Sequence, residues 1–252
     1  YELDSVIRMM RRFLKESVVD GFEFVLLPEW DAENAPLTPS SAPVDCEKHR
    51  MDEVAKALQG LNLSILSVHA NRDIGNYVCA EEADKVQKGI RLADECLDFA
   101  ERMGSEICVF HFWDTWKEKL DISSLEALYQ ELQKKHPSVE ISIENIPTRH
   151  ENMTPFQIVQ NFRFITLDLK WASLVGEFDS FAGVLSQVDN VHVQGKYMNG
   201  KLTSTVGSLD YEQALACIKQ SEYSGVFTVE LEGKADYNDM VNCVSKLKEK
   251  LC

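Results

Sequence analysis

Residues 139–145 read VEISIEN, a run in which Val139, Ile141 and Ile143 alternate with Glu140 and Ser142 before Glu144 and Asn145. Alternation at period two is the pattern of a short strand with a buried face, and the run stops just before Pro147. A carboxylate at the exit of an apolar strand costs roughly several kcal/mol if it is left unpaired. A cation or a hydrogen-bond network is therefore expected around Glu144.

Working outward, the same kind of run recurs along the chain, each time followed by a segment with helical spacing. The chain opens on an amphipathic helix over residues 2–16, with Leu3, Val6, Ile7, Met10 and Leu14 on its apolar face, and Gly21 closes that unit. GFEFVLLPEW is the first strand. A proline- and serine-rich connection over residues 31–43 is too long for a plain turn and is a lid candidate. Asp45 is a cap for the next helix, which Gly60 stops. LSILSVH ends a strand at His69, and the loop NRDIGNY leads to a long helix from Glu81 to Met103, with Gly104 as its terminator.

ICVFHF ends a strand at His111, and an aromatic loop, Trp113 to Trp116, precedes a helix from Ser124 to Lys135. After VEISIEN, Thr154 and Pro155 have the chemistry of a brief helix start. FRFITLDLK is a strand ending near Asp168 and Lys170, a helix is expected at residues 177–187, and VDNVHVQGK is a strand through His192. Asp210 with Gln213 forms a capping box for a helix that ends before Gly225. VFTVELEG is the last strand, leaving through Glu230 and Glu232, and Asp236 caps the final helix.

Seven strands alternating with helices imply parallel βαβ units. No glycine-rich phosphate loop follows any strand, so the common nucleotide-binding open sheets lose their support. The expected fold is α/β, a TIM (β/α)8-type barrel formed as a single domain over residues 1–252. A chain that starts on a helix, with no initiator Met at Tyr1, fits a barrel whose first strand is absent or lies upstream; a closed seven-stranded variant stays open.

Composition narrows the partners. A net charge of −15 and a pI near 4.8 repel phosphate backbones and anionic lipid, which argues against nucleic acid and membrane surfaces and for a small molecule. No apolar run approaches the roughly 18 residues of a membrane helix. Seven cysteines without CxxC spacing, most of them in apolar segments (Cys96, Cys108, Cys217, Cys243), read as reduced thiols of a cytoplasmic protein. The barrel uses up the apolar helix faces, so the sequence leaves a homo-oligomer open without a separate signal for it.

Strand exits are where such barrels keep their chemistry. Here they carry His69, His111, Glu144, Asp168, His192 and Glu230, an ionisable or ligating side chain at six consecutive exits. Each has an ordinary explanation alone: a hydrogen-bonded core histidine, or a helix cap. Together they crowd carboxylates without a counter-charge. One divalent cation, Mn, Co, Mg or Zn, held by Glu144, Asp168, His192 and Glu230, resolves that conflict.

The segments SVHA, VFHF, SIENIP, TLDLK, NVHVQGK and GVFTVELEG, in this order and separated by helices, resemble the xylose isomerase-like TIM-barrel superfamily. That group includes sugar-phosphate isomerases and epimerases, inosose dehydratases and apurinic endonucleases. The resemblance implies a single metal on Glu144, Asp168, His192 and Glu230, with the two glutamates as the acid/base pair of a small-sugar, ketose or polyol isomerase or epimerase working through a metal-bound enediolate. An inosose-type dehydratase and a catalytically silent sugar- or metal-binding barrel are the alternatives. His69 and His111 would contact substrate hydroxyls, and Trp113 and Trp171, with Trp30 and Trp116, would wall the sugar. Two departures stand out: Trp171 occupies the position of a substrate-binding histidine, and QGKYMNGK lacks the arginine expected after the metal histidine, for which Lys196 is a substitute. KLTSTVGSLDY lacks the Asp-x-His of the endonuclease branch, which makes DNA repair the least supported reading.

Overall fold

A computed structural model describes residues 2–33, 35–37, 46–233 and 235–251. Most of the lid candidate's proline- and serine-rich part, and the cap at Asp45, lie outside these residues. Contacts divide the chain into two compact units, Tyr1–Ile143 and Glu144–Cys252.

The first unit begins with α1 (Leu3–Lys15), whose buried face is Leu3, Ile7, Met10 and Phe13. Phe13 takes the place expected of Leu14, and Val6 is only half-buried. Strand β1 (Phe22–Val25), α2 (Met51–Leu58) and β2 (Ile65–His69) follow, and then α3 (Ile74–Val78), α4 (Ala83–Met103), β3 (Ile107–Phe110), α5 (Ile122–Lys135) and β4 (Glu140–Glu144). The strands pair in parallel in chain order: Val25 lies opposite His69, His69 opposite Val109, and Phe110 opposite Ile143.

Helix α3 corrects the expectation of a loop at NRDIGNY. Its Ile74 and Tyr77 are buried. Gly75 lets it approach the backbone, since a Cβ there would lie 2.5 Å from the Trp113 carbonyl oxygen. Gly89 of α4 makes the same concession, with a would-be Cβ 2.8 Å from Tyr77 Cβ. Gly104 ends α4 in the left-handed conformation at φ 71°, as expected.

In the second unit, α6 (Pro155–Val159) starts on the capping box of Thr154 and Gln157. Strand β5 (Phe164–Asp168) passes directly into α7 (Leu169–Val175), and α8 (Phe178–Ala182) and a 3₁₀ turn at Leu185–Gln187 follow. The single helix expected at residues 177–187 is thus replaced by shorter pieces that begin earlier, because Asp168 itself caps α7. Strand β6 (Val188–Met198) turns back antiparallel onto β7 (Lys201–Thr203) through Asn199 and Gly200, both at positive φ. That is the two-residue hairpin turn an Asn-Gly pair favours. Asp210 caps α9 (Tyr211–Gln220) through the Glu212 N–H, and β8 (Val226–Leu231) pairs in parallel with β6 before α10 (Tyr237–Leu251). Asp236 caps this last helix by accepting from the Asp239 N–H.

The element order and the parallel pairing within each unit are those of an α/β fold of the TIM (β/α)8 type, with β1 at Phe22–Val25 as the first strand described. Cys96 and Cys108 are fully buried in the first unit and Cys243 in the second, all as free thiols; Cys217 is half-buried. Burial raises Cys96 to a pKa of about 12 and Cys243 to about 11. No described helix is long and apolar enough to cross a membrane.

Candidate metal and acid/base site

Strand register gathers the polar side chains of the second unit. Asp168, the last residue of β5, lies opposite His192 of β6; two residues further along β6, Gln194 lies opposite Glu230 of β8. Residues two apart on a strand share a face, so Asn190 stands beside His192 and Thr228 beside Glu230. Glu144, the last residue of β4, completes the group.

The ligand atoms of Glu144, Asp168 and His192 lie within 4.8 Å of one another, and all three residues are buried. His192 Nδ1 is 3.3 Å from Glu230 Oε1 and 3.9 Å from Glu144 Oε1. The two glutamates differ in access: the side chain of Glu144 is 3 % exposed and that of Glu230 is 29 % exposed.

Neighbouring amides fix the geometry. The Asn145 side-chain oxygen accepts from the Asp168 N–H at 2.6 Å, and its Nδ2 donates to the Asp168 carbonyl at 3.1 Å. Asp168 Oδ1 accepts from the Trp171 N–H at 3.0 Å, while the buried Oδ2 has no hydrogen-bond partner among the described residues. Burial, reinforced by the Glu144 and Glu230 carboxylates, pushes Asp168 well above the usual carboxylate range, against the pull of His192 and the Trp171 N–H. His192 Nε2 is 3.0 Å from Asn190 Nδ2, and the Thr228 hydroxyl donates to Asn190 Oδ1 at 3.1 Å. This chain from β8 to β6 orients the imidazole from the side away from the carboxylates.

A buried carboxylate oxygen without a donor, next to two further carboxylates and an imidazole nitrogen, is a donor set that can hold one divalent cation. Asn145, Asn190 and Thr228 carried no role in the sequence reading. Their signal was present in the two-residue spacings Asn190-x-His192 and Thr228-x-Glu230 and in a second polar residue directly after Glu144.

In the first unit, His69 ends β2 with Nδ1 3.1 Å from the Ala70 carbonyl oxygen, and its ring meets that of His111 edge to face at 4.9 Å. Trp113 is buried there, Trp30 packs on Phe24, and Trp116 is exposed. In the second unit, Trp171 is half-buried with the Lys170 ammonium 4.3 Å over its ring. Lys170 also binds Glu232 Oε1 at 2.5 Å. Burial would raise the Glu232 carboxyl, but hydrogen bonds from Lys170 and Thr205 and the charges of Lys170 and Lys196 outweigh it and hold the group below its ordinary value. Lys196 itself is exposed where β6 enters the hairpin.

Comparison with curated protein sequences gives no match. Among solved structures the chain is similar to an L-ribulose 3-epimerase at TM-score 0.65 and 13% identity, covering 96% of this chain and 88% of that one. It is similar to a D-allulose 3-epimerase from Methylomonas sp. in complex with D-allulose at TM-score 0.62 and 16% identity, covering 96% and 91%. A sugar phosphate isomerase/epimerase from Parabacteroides distasonis gives TM-score 0.62 at 13% identity, covering 97% and 90%. Identities this low speak for the fold alone. The sequence profile named xylose isomerase-like TIM barrel matches residues 12–247, nearly the whole length, and the chain therefore belongs to the xylose isomerase-like TIM barrel family.

Proposed function

We propose that this chain is a divalent-metal-dependent isomerase or epimerase of a small sugar, ketose or related polyol. The observation that carries the proposal is the convergence of Glu144, Asp168 and Glu230 on His192, with Asp168 Oδ2 buried and lacking a donor. These four residues would hold the ion, and a bound divalent cation supplies Lewis-acid polarisation of a substrate carbonyl. The chain's own part is proton transfer. One of the carboxylates of Glu144 and Glu230 takes the proton next to the carbonyl and the other, protonated beforehand, gives one to the opposite face, which inverts that carbon; return to the adjacent carbon, with the neighbouring hydroxyl's proton passing to the former carbonyl oxygen, isomerises the sugar.

The unequal exposure of the pair suits this division. Glu230 can pass its proton to water, whereas Glu144 is sealed and exchanges only with substrate or its neighbours. Trp171 and Lys196, in the same unit as the four ligands, are the proposed substrate contacts there; for His69, His111 and Trp113 a part in substrate binding is proposed on the family resemblance alone. A single domain over residues 1–252 is part of the proposal, as is a cytoplasmic setting, for which the free cysteines are the support.

Metal-supplemented protein incubated in deuterated water with a panel of ketoses and inososes is expected to place deuterium beside the carbonyl, read by NMR. Glu144→Gln and Glu230→Gln should each lower exchange by about 10²–10⁴-fold. Full activity in either variant would remove the acid/base assignment. A metal-loaded chain that exchanges none of the panel would overturn the reaction class, and loss of water from an inosose would make it a dehydratase.

A further inference from the structure

A second group of ligating side chains lies in the first unit, apart from the residues discussed so far. On α4, Asp94, Asp98 and Glu101 follow at i, i+4 and i+7 and share one face. Across from them α5 ends at His136, whose N–H closes the helix on the Leu132 carbonyl at 2.9 Å. The His136 side chain is 3 % exposed, far below the ordinary level for a helix-end histidine. Its Nε2 is 2.9 Å from Asp94 Oδ1. Its Nδ1 is 3.4 Å from Glu101 Oε1 and 3.8 Å from Asp98 Oδ1, and has no hydrogen-bond partner among the described residues.

The chemistry of this arrangement follows from its donors. An ionised carboxylate only accepts, so Asp94 calls for the imidazole proton on Nε2; in that tautomer the Nδ1 lone pair faces Glu101 and Asp98. Three electron-rich atoms then meet, one of them on a buried ring. A carboxylate on the far nitrogen of a histidine is the usual support of a metal-ligating imidazole. The spacing agrees: with bonds of about 2.1 Å, two ligands of a tetrahedral ion stand roughly 3.4 Å apart, which is longer than a good N–H···O contact. Charge agrees as well. The Lys135 ammonium also binds Asp94, so the two charges left at the group are those of Asp98 and Glu101, which a dication balances. The Ser138 hydroxyl donates to Glu101 Oε1 at 2.8 Å and fixes the rotamer of that carboxylate.

We propose that Asp98, Glu101 and His136 Nδ1 form a second divalent-cation site, of the zinc class, with water completing the coordination. One nitrogen and two oxygens suit Zn²⁺ or Co²⁺ better than the all-oxygen shells of Ca²⁺ or Mg²⁺. The ion clips α4 to the turn at residues 136–139 that leads into β4. It is independent of the strand-end group, because it shares no ligand with it.

The test is a titration of the full chain with Zn²⁺ and with Co²⁺, comparing the parent with Asp98→Asn/Glu101→Gln, an isosteric pair on the solvent side of the cluster. The parent should bind one ion more per chain than this variant, and that extra ion should persist in Asp168→Asn, which weakens only the strand-end group. Co²⁺ should also shift the His136 ring signals of the parent in NMR spectra. Equal stoichiometry in parent and double variant, or His136 signals unmoved by Co²⁺, would overturn the proposal and leave a proton at Nδ1 instead. A chain that loses an ion in the double variant but none in Asp168→Asn would keep this site and remove the strand-end one.

Discussion

Asp168 shows how one side chain serves two demands. Its Oδ1 caps α7, and its Oδ2 sits buried among charges of its own sign. An acid whose pKa is higher folded than unfolded keeps its proton in the native state where the unfolded chain has lost it. Native stability then falls as pH rises from the ordinary carboxylate range up to the folded pKa, by at most about 1.4 kcal/mol per pH unit. Asparagine keeps the capping oxygen and removes the charge. Metal-stripped Asp168→Asn should therefore be more stable than the metal-stripped parent at pH 7, with the gap closing towards pH 4, as read by urea unfolding at each pH. A variant less stable than the parent at pH 7 would mean that the carboxylate is not under strain. The candidate ligands and the crowding of their carboxylates were legible from type and position at the strand exits, but that Asp168 bears the strain was not, since this follows from its burial and from Glu144 and Glu230, brought in by two other strands.

Most elements could be read directly, and the exceptions share a cause. Thr154, Gly104 and Asp236 announced their helix ends through local chemistry. Helix α3 was hidden because NRDIGNY is short and polar, and it forms only by packing Ile74 and Tyr77 into the unit. That packing depends on the missing Cβ of Gly75. Gly75→Ala would set a methyl 2.5 Å from the Trp113 carbonyl oxygen and 2.8 Å from that of His111, both backbone atoms. The expected cost is about 1–3 kcal/mol in chemical denaturation, as for other overpacked sites. A cost near zero would show that α3 can shift without penalty. The hairpin of β6 and β7 was a further omission, beside α7 at Leu169–Val175, although its Asn199-Gly200 turn was in plain view; only length kept the run from being read as two strands.

At the scale of the whole molecule, a chain of net charge −15 gathers acidic groups where its strands end, and a bound cation offsets part of that repulsion. Ligand binding to the native state alone adds about 2.7 kcal/mol at 100 times Kd. Chelator should then lower the thermal midpoint by roughly 5–10 °C, at about 2–4 °C per kcal/mol for a chain of this size. Asp168→Asn should lose the part of this response that the strand-end ion supplies, and the Asp98→Asn/Glu101→Gln variant the part supplied by the ion at His136; an unchanged midpoint in the parent would argue that no ion resides at either group. The alternation of strands and helices was visible at this scale from the sequence. The division at Glu144 was not, because no linker composition marks it and the boundary falls inside a strand.

The buried thiols turn that division into something measurable by time. Cys96 in one unit and Cys243 in the other are both sealed, and burial holds both thiols far from the reactive thiolate form, so an alkylating reagent reaches them only when the surrounding structure opens. Followed separately by peptide mass spectrometry, the two sites act as a pair of clocks on the same molecule. Once each rate is divided by that of the same thiol in the unfolded chain, a chain that opens as one cooperative body shows a single value at both sites, and two values would reveal that its halves breathe apart.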